Sequence, residues 1–87
     1  MMNKSEAINV VVDMLVAEMI PEVEKAHSVH THKNHFDKYM GLFVKWDEML
    51  ADMPLKMSRD VRLEVIGRLM IKAGANEQGV IDARRWV

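Results

Sequence analysis

The stretch that decides the fold runs from Ser5 to Ala26 and reads SEAINVVVDMLVAEMIPEVEKA. Its apolar residues recur at intervals of three and four, which is the spacing of one face of an α-helix. They are Ile8, Val12, Leu15, Met19, Val23 and Ala26. The β-branched valines would suit a strand, but the alternation that a strand needs fails, so the pattern predicts a helix that Ser5 caps.

Pro21 lies inside this helical pattern. A proline lacks the backbone N–H and its ring opposes the carbonyl four residues earlier, so a helix bends or restarts there. The apolar face nevertheless crosses Pro21 in phase. We therefore predict one long first helix, kinked near Pro21, that ends between His27 and His30.

The remaining chain predicts up to three further helices. The second begins at His35 and stops before Pro54, because the residue before a proline disfavours helical geometry. Its broad apolar face carries Phe36, Tyr39, Met40, Phe43, Trp46, Leu50 and Met53. Ser58 is a suitable cap for a third helix, and Gly74 suits its end. Asn76 suits the start of a fourth helix toward Trp86.

The length and composition predict a single all-α domain over residues 1–87, a small bundle of three to four helices. About half the chain is hydrophobic (49%) and the net charge is −1, which excludes a disordered chain. The absence of cysteine excludes disulfides and thiolate metal sites.

The chain has 12 lysines and arginines against 13 aspartates and glutamates. Its overall charge therefore does not attract it to nucleic acid or to an anionic membrane. The most apolar stretch, Val10 to Ile20, has eleven residues, well short of the roughly 20 that cross a bilayer. We expect a cytoplasmic protein without a membrane segment.

The apolar faces of the first two helices look larger than a short third helix can cover. A chain of this size also buries barely enough apolar surface to offset its ordering entropy. The sequence therefore predicts a homodimer, with a dimer mass at micromolar concentration.

The four histidines lie within nine residues and follow a glutamate three residues before the first of them. Neutral imidazoles bind zinc, nickel or iron, and a Glu-x-x-His pair shares a helix face. The candidate ligands are Glu24, His27, His30, His32 and His35. One such pair supplies too few ligands for a complete metal site. Solvent-exposed histidines without a metal are therefore the simpler interpretation, and a metal-binding protein is an alternative function.

Near the end of the chain a helix, a tight turn at Gly74 and a second helix capped by Asn76 follow one another, with Leu69, Val80 and Ala83 at the apolar anchor positions. With these features, residues 59–86 resemble a helix-turn-helix. This alternative implies a DNA-binding regulator in which Gln78 and Asp82 face the bases. The positions implied to contact DNA are Arg59, Lys72, Gln78, Asp82, Arg84 and Arg85. Gly79 departs from the pattern, because glycine weakens a recognition helix by about 1 kcal/mol relative to alanine.

Apolar residues also crowd the proline-bearing connection after the second helix. They are Trp46, Met49, Leu50, Met53, Leu55 and Met57. Since residues of a helix end and a loop cannot all turn inward, this cluster is the candidate partner-binding patch. Methionine side chains adapt to different partners.

No phosphate loop, dinucleotide fingerprint, nucleophile elbow or zinc-protease motif is present. We expect no enzyme. The leading hypothesis is a non-catalytic helical protein that binds and modulates another protein, as an adaptor or inhibitor. In general character it is similar to the small proteins that bacteriophages direct at host machinery.

Overall fold

A computed structural model gives the fold and describes residues 3–29, 35–53 and 56–87. Over these ranges the chain forms four helices and no strand. They are α1 (Lys4–Val29), α2 (His35–Ala51), α3 (Arg59–Lys72) and α4 (Glu77–Trp86). The expected all-α bundle of three to four helices is confirmed. Within these ranges, no helix combines the length and the apolarity that a membrane crossing needs.

α1 continues through Pro21 and ends at Val29, inside the predicted limits. The kink stays a prediction. The start of α1 differs from the expectation, because Asn3 rather than Ser5 caps it. The Glu6 amide donates to Oδ1 of Asn3 at 2.8 Å, and Nδ2 of Asn3 donates to Oε1 of Glu6 at 3.2 Å. Asparagine caps as well as serine does, and the glutamate three residues later completes a reciprocal pair.

α3 lies at the centre of the bundle and packs against the other three helices. Arg68 contacts Asn9 and, four residues further along both helices, Lys72 contacts Asp13, so α1 runs parallel to α3. α2 runs in the opposite direction, since Asp47 near its end binds Arg62 near the start of α3.

α4 folds back along α3. Nη1 of Arg84 lies 2.8 Å from Oε2 of Glu64, and the side chain of Arg84 also lies close to Gly67. The turn between the helices contains Gly74 at a φ of 94°, a conformation that glycine adopts without a steric penalty. Ser58 and Asn76 cap α3 and α4 through their side-chain oxygens, as the sequence predicts.

The core consists of one face of each helix. Its buried side chains are Ile8, Val12, Leu15, Met19, Tyr39, Phe43, Trp46, Leu50, Val65, Ile66, Leu69, Met70, Ala75, Val80 and Ala83. Tyr39, Phe43 and Trp46 of α2 are therefore covered within one chain, and so are Ile8, Val12, Leu15 and Met19 of α1. These residues need no second copy to cover them, and the homodimer stays a prediction.

Gly79, which weakens α4 as an isolated helix, is required by a contact with α2. A Cβ atom at this position would lie 2.7 Å from Cε2 and 3.1 Å from Cδ2 of Tyr39. Tyr39 cannot move freely, because it is buried and its hydroxyl accepts the Asn76 amide at 3.1 Å. The close approach of α2 and α4 thus depends on the missing side chain.

We expect Gly79→Ala to destabilise the protein by up to about 2 kcal/mol. Overpacking of a close contact costs about 1–3 kcal/mol, which exceeds the gain of about 1 kcal/mol that alanine brings to a helix. Urea unfolding measures the change. Gly41→Ala in α2 is the matched control, since a Cβ there meets no atom within 4 Å. A stabilised Gly79→Ala variant would contradict the proposed contact.

Candidate interaction surface

The candidate partner-binding patch is only partly at the surface. Trp46 and Leu50 are fully buried, so the prediction that they face a partner is wrong. They share with Phe43 the face of α2 that packs into the core, at spacings of three and four residues. The helical spacing of these residues therefore places them on the buried face of α2.

The methionines of the predicted patch keep partial exposure. Met49 is 38% exposed, while Met53 and Met57 are half-buried and pack against the core. Leu55 lies outside the described residues. A binding role for these four residues stays a prediction. In the structure, Met57 lines a groove between α1 and the beginning of α3, which is described below.

α1 carries a second apolar face, opposite to the one that it buries. Its members are Ala7, Val10, Met14, Ala17 and Pro21, all exposed and spaced alternately by three and four residues. Met14 is 66% exposed and Val10 is 44% exposed. We call these five residues the α1 outer face. A contiguous exposed apolar face of this kind marks a site of interaction more often than scattered apolar residues do.

A groove runs beside the α1 outer face, between α1 and the beginning of α3. It has a volume of about 210 Å³ and is lined by Lys4, Ala7, Ile8, Val11, Met57 and Val61. We call it the α1 groove. Ala7 belongs to both surfaces, so the groove and the outer face are continuous. Engineered cavities of about 150 Å³ with aliphatic walls bind benzene, so this groove has room for one large apolar side chain.

Acidic residues border the α1 outer face. Glu6 and Asp13 each precede a residue of the face, and Glu18 follows one, so they lie on its opposite sides. All three are exposed. Nζ of Lys72 lies 2.6 Å from Oδ1 of Asp13, with both side chains largely in solvent. Lys4 is the basic residue at the groove.

A polar cleft lies next to the α1 groove, also between α1 and α3, and shares Lys4 and Ile8 with it. Arg68 occupies it, and its guanidinium donates to Oε1 of Glu64 and Oδ1 of Asn9, both at 2.9 Å. It also lies 3.3 Å from the carbonyl oxygen of Ser5. Because these donors are engaged, we assign Arg68 a structural role in joining the two helices.

At the start of α2, Lys38 and Tyr39 form a cation–π contact. Nζ of Lys38 lies 5.4 Å from the centroid of the Tyr39 ring. Partial burial desolvates the ammonium group and lowers the pKa of Lys38. The contact packs against the turn before α4, because the Tyr39 hydroxyl accepts a hydrogen bond from the Asn76 amide.

Several residues implied to contact DNA are engaged within the chain. Arg84 binds Glu64 at 2.8 Å, and Lys72 binds Asp13 at 2.6 Å. A phosphate would have to compete with these carboxylates. The glycine turn and the cap of α4 that motivated the resemblance are present, while DNA binding itself stays a prediction.

The remaining residues implied to contact DNA have different neighbours in the structure. Nη2 of Arg59 donates to the carbonyl oxygen of Val87 at 2.9 Å. Nε2 of Gln78 donates to Oδ1 of Asp82 at 2.9 Å, so the two residues implied to read bases share one side of α4. Arg85 is exposed.

The candidate metal ligands fall mostly outside the described residues. This applies to His30 and His32 and to the side chains of His27 and His35, whereas Glu24 is exposed on α1. In the part of the chain that the structure describes, no group of three or more histidines, aspartates and glutamates could hold a metal ion. The histidine site stays a prediction.

Comparisons with known proteins give no relative: no family model, no curated protein and no solved structure matches the chain. The functional argument therefore depends on the surface itself. Sequence reasoning missed the α1 outer face, although its spacing is visible in the sequence. It missed the α1 groove because Val11 and Val61 are fifty residues apart in the chain.

Proposed function

We propose that this protein is a non-catalytic helical module that binds and modulates another protein, as an adaptor or inhibitor. The observation that supports the proposal is the α1 outer face, an uncovered apolar face on a helix whose opposite face is buried. Small proteins that bacteriophages direct at host machinery share this general character. The proposed place of action is the cytoplasm.

The energetics of the surface favour a protein partner. Fully burying a valine or methionine side chain contributes about 1.5–3 kcal/mol. Val10 and Met14 are 44% and 66% exposed, so a partner that covers them gains a large part of this free energy. The α1 groove adds a concave site beside them. A pocket such as the α1 groove, surrounded by an apolar surface such as the α1 outer face, is typical of the central part of a protein interface.

The described ion pairs support a structural rather than a catalytic use of the charged residues. Nε of Arg62 lies 2.7 Å from Oδ1 of Asp47 and joins α3 to α2, while Arg84 and Glu64 join α4 to α3. Carboxylates held in this way fix the packing of helices. Catalysis is therefore not part of the proposal.

The homodimer is proposed through the outer side of α2, instead of through the apolar faces of α1 and α2 from which the sequence predicted it. The outer side of α2 exposes Val44 to 50% and carries exposed Lys45 and Glu48 beside it. Because both signs of charge are present, a second copy in the opposite direction can pair them. Val44→Asp is expected to convert a dimer mass in light scattering into a monomer mass.

Affinity capture from the native cell tests the proposed function. We expect the immobilised protein to retain a specific partner after nuclease treatment, and Met14→Asp to lose it at unchanged thermal stability. Trp86→Asp is the matched control, because it places the same charge at an exposed apolar position of another helix, α4. Retention of the partner by Met14→Asp, or its loss on nuclease treatment, would refute the proposal.

A further inference from the structure

The charges around the α1 outer face restrict what can cover it. α1 contains five acidic residues and two lysines, and Glu6, Asp13 and Glu18 lie along the borders of the outer face. An apolar partner surface that approaches this face must bring its own border residues close to these carboxylates. Opposite charges at a border favour association, whereas like charges repel.

The shape of the face selects a helix as the partner. Its residues follow helical spacing from Ala7 to Pro21, a length of about 21 Å at 1.5 Å per residue. A strand gains affinity mainly by pairing its backbone with a sheet edge, and the backbone groups of α1 are already bonded within the helix. A second helix needs no such partners and packs its side chains between those of α1.

A second copy of α1 is a poor occupant of the same face. In a parallel or antiparallel pair of α1 helices, the bordering residues of both chains carry mainly negative charge. Pairs of like charge at helix borders destabilise the association. The self-association proposed above uses α2, whose outer side carries both signs.

We propose that the α1 outer face binds a basic amphipathic helix of the partner protein. The apolar side of this helix covers Val10 and Met14, and its lysines or arginines pair with Glu6 and Glu18, since Asp13 already binds Lys72. One large apolar side chain of the partner enters the α1 groove next to Ala7. This inference rests on the proposed function and specifies the chemistry of the partner.

A pair of synthetic helical peptides tests the proposal. Both have 21 residues and the same leucine positions at alternating spacings of three and four, but one carries lysines at the border positions and the other glutamates. We expect the full-length protein to bind the lysine peptide about tenfold more tightly at low salt, because a few exposed ion pairs supply a difference of that size. Added salt should reduce this preference.

Variants of the protein provide a second test of the preference for the lysine peptide. Glu18→Lys should reduce the preference for the lysine peptide several-fold, and Met14→Asp should abolish binding of both peptides. Glu77→Lys, a charge reversal at an exposed position of α4, is the control and should leave both affinities unchanged. Thermal melts confirm that each variant is folded.

Equal affinity for the two peptides, tighter binding of the glutamate peptide, or no binding of either overturns the inference. A wild-type dimer that Met14→Asp dissociates would also overturn it, because a second copy would then cover the face. The capture experiment separates these failures from failure of the proposed function. A partner whose retention requires Met14 but that offers no basic helix leaves the proposed function standing.

Discussion

Leu15→Asp is expected to unfold most of the protein at 25 °C. Leu15 is 6% exposed and lies in the core formed with α2, α3 and α4. Truncating a buried leucine costs about 2–5 kcal/mol, and an unpaired buried carboxylate adds a further desolvation cost. Native domains have only about 0.05–0.15 kcal/mol of net stability per residue, so in a chain of 87 residues the combined cost removes most of the stability and little folded protein remains. Circular dichroism at 222 nm measures the loss of helix.

The neighbouring residue provides the control for this experiment. Met14 precedes Leu15 on the same helix but is 66% exposed on the α1 outer face. Met14→Asp therefore introduces the same charge one position away, and we expect its free energy of unfolding to stay within about 0.5 kcal/mol of the wild type. Equal stability of the two variants would show that α1 does not pack as described.

Trp46→Ala is expected to lower the free energy of unfolding by about 3–5 kcal/mol, the usual cost of truncating a buried aromatic residue. Trp46 is the largest of the fully buried side chains among the described residues. Its removal leaves a cavity between α2 and the rest of the core. Urea unfolding, with the midpoint and the slope fitted together, measures the loss.

A second substitution at this position tests the polar part of the side chain. Within the described residues, Nε1 of Trp46 has no hydrogen-bond partner, and an unpaired buried donor costs about 1–3 kcal/mol. Trp46→Phe removes that donor together with part of the volume, so we expect a distinctly smaller loss than for alanine. Lys45→Ala, at the exposed neighbouring position, should have almost no effect. Equal losses for phenylalanine and alanine would contradict this account.

The positions of the helices were largely predictable because they depend on local signals. Ser58 and Asn76 cap α3 and α4 as expected, and Gly74 forms the turn between them. The cap of α1 was assigned to Ser5, since Asn3 was overlooked although it satisfies the same local rule. Both outcomes follow from interactions within four residues, which a sequence displays directly.

The candidate site was less predictable. The patch around the proline-bearing connection was chosen for its density of apolar residues, but Trp46 and Leu50 belong to the buried face of α2. Counting apolar residues does not show which of them face inward. For α1 the sequence identified the buried face, which contains Val12 and Leu15. The apolar residues on the opposite face, such as Val10 and Met14, were overlooked, although they also follow helical spacing.

The sequence by itself determined the helical class, the approximate ends of the four helices and the residues suited to cap them, because periodicity, proline, glycine and capping act over a few residues. Only the tertiary structure decided the parallel arrangement of α1 and α3, the need for Gly79 against Tyr39 and the formation of the α1 groove. These features join residues that are distant in the chain, and they arise from the packing of whole helix faces.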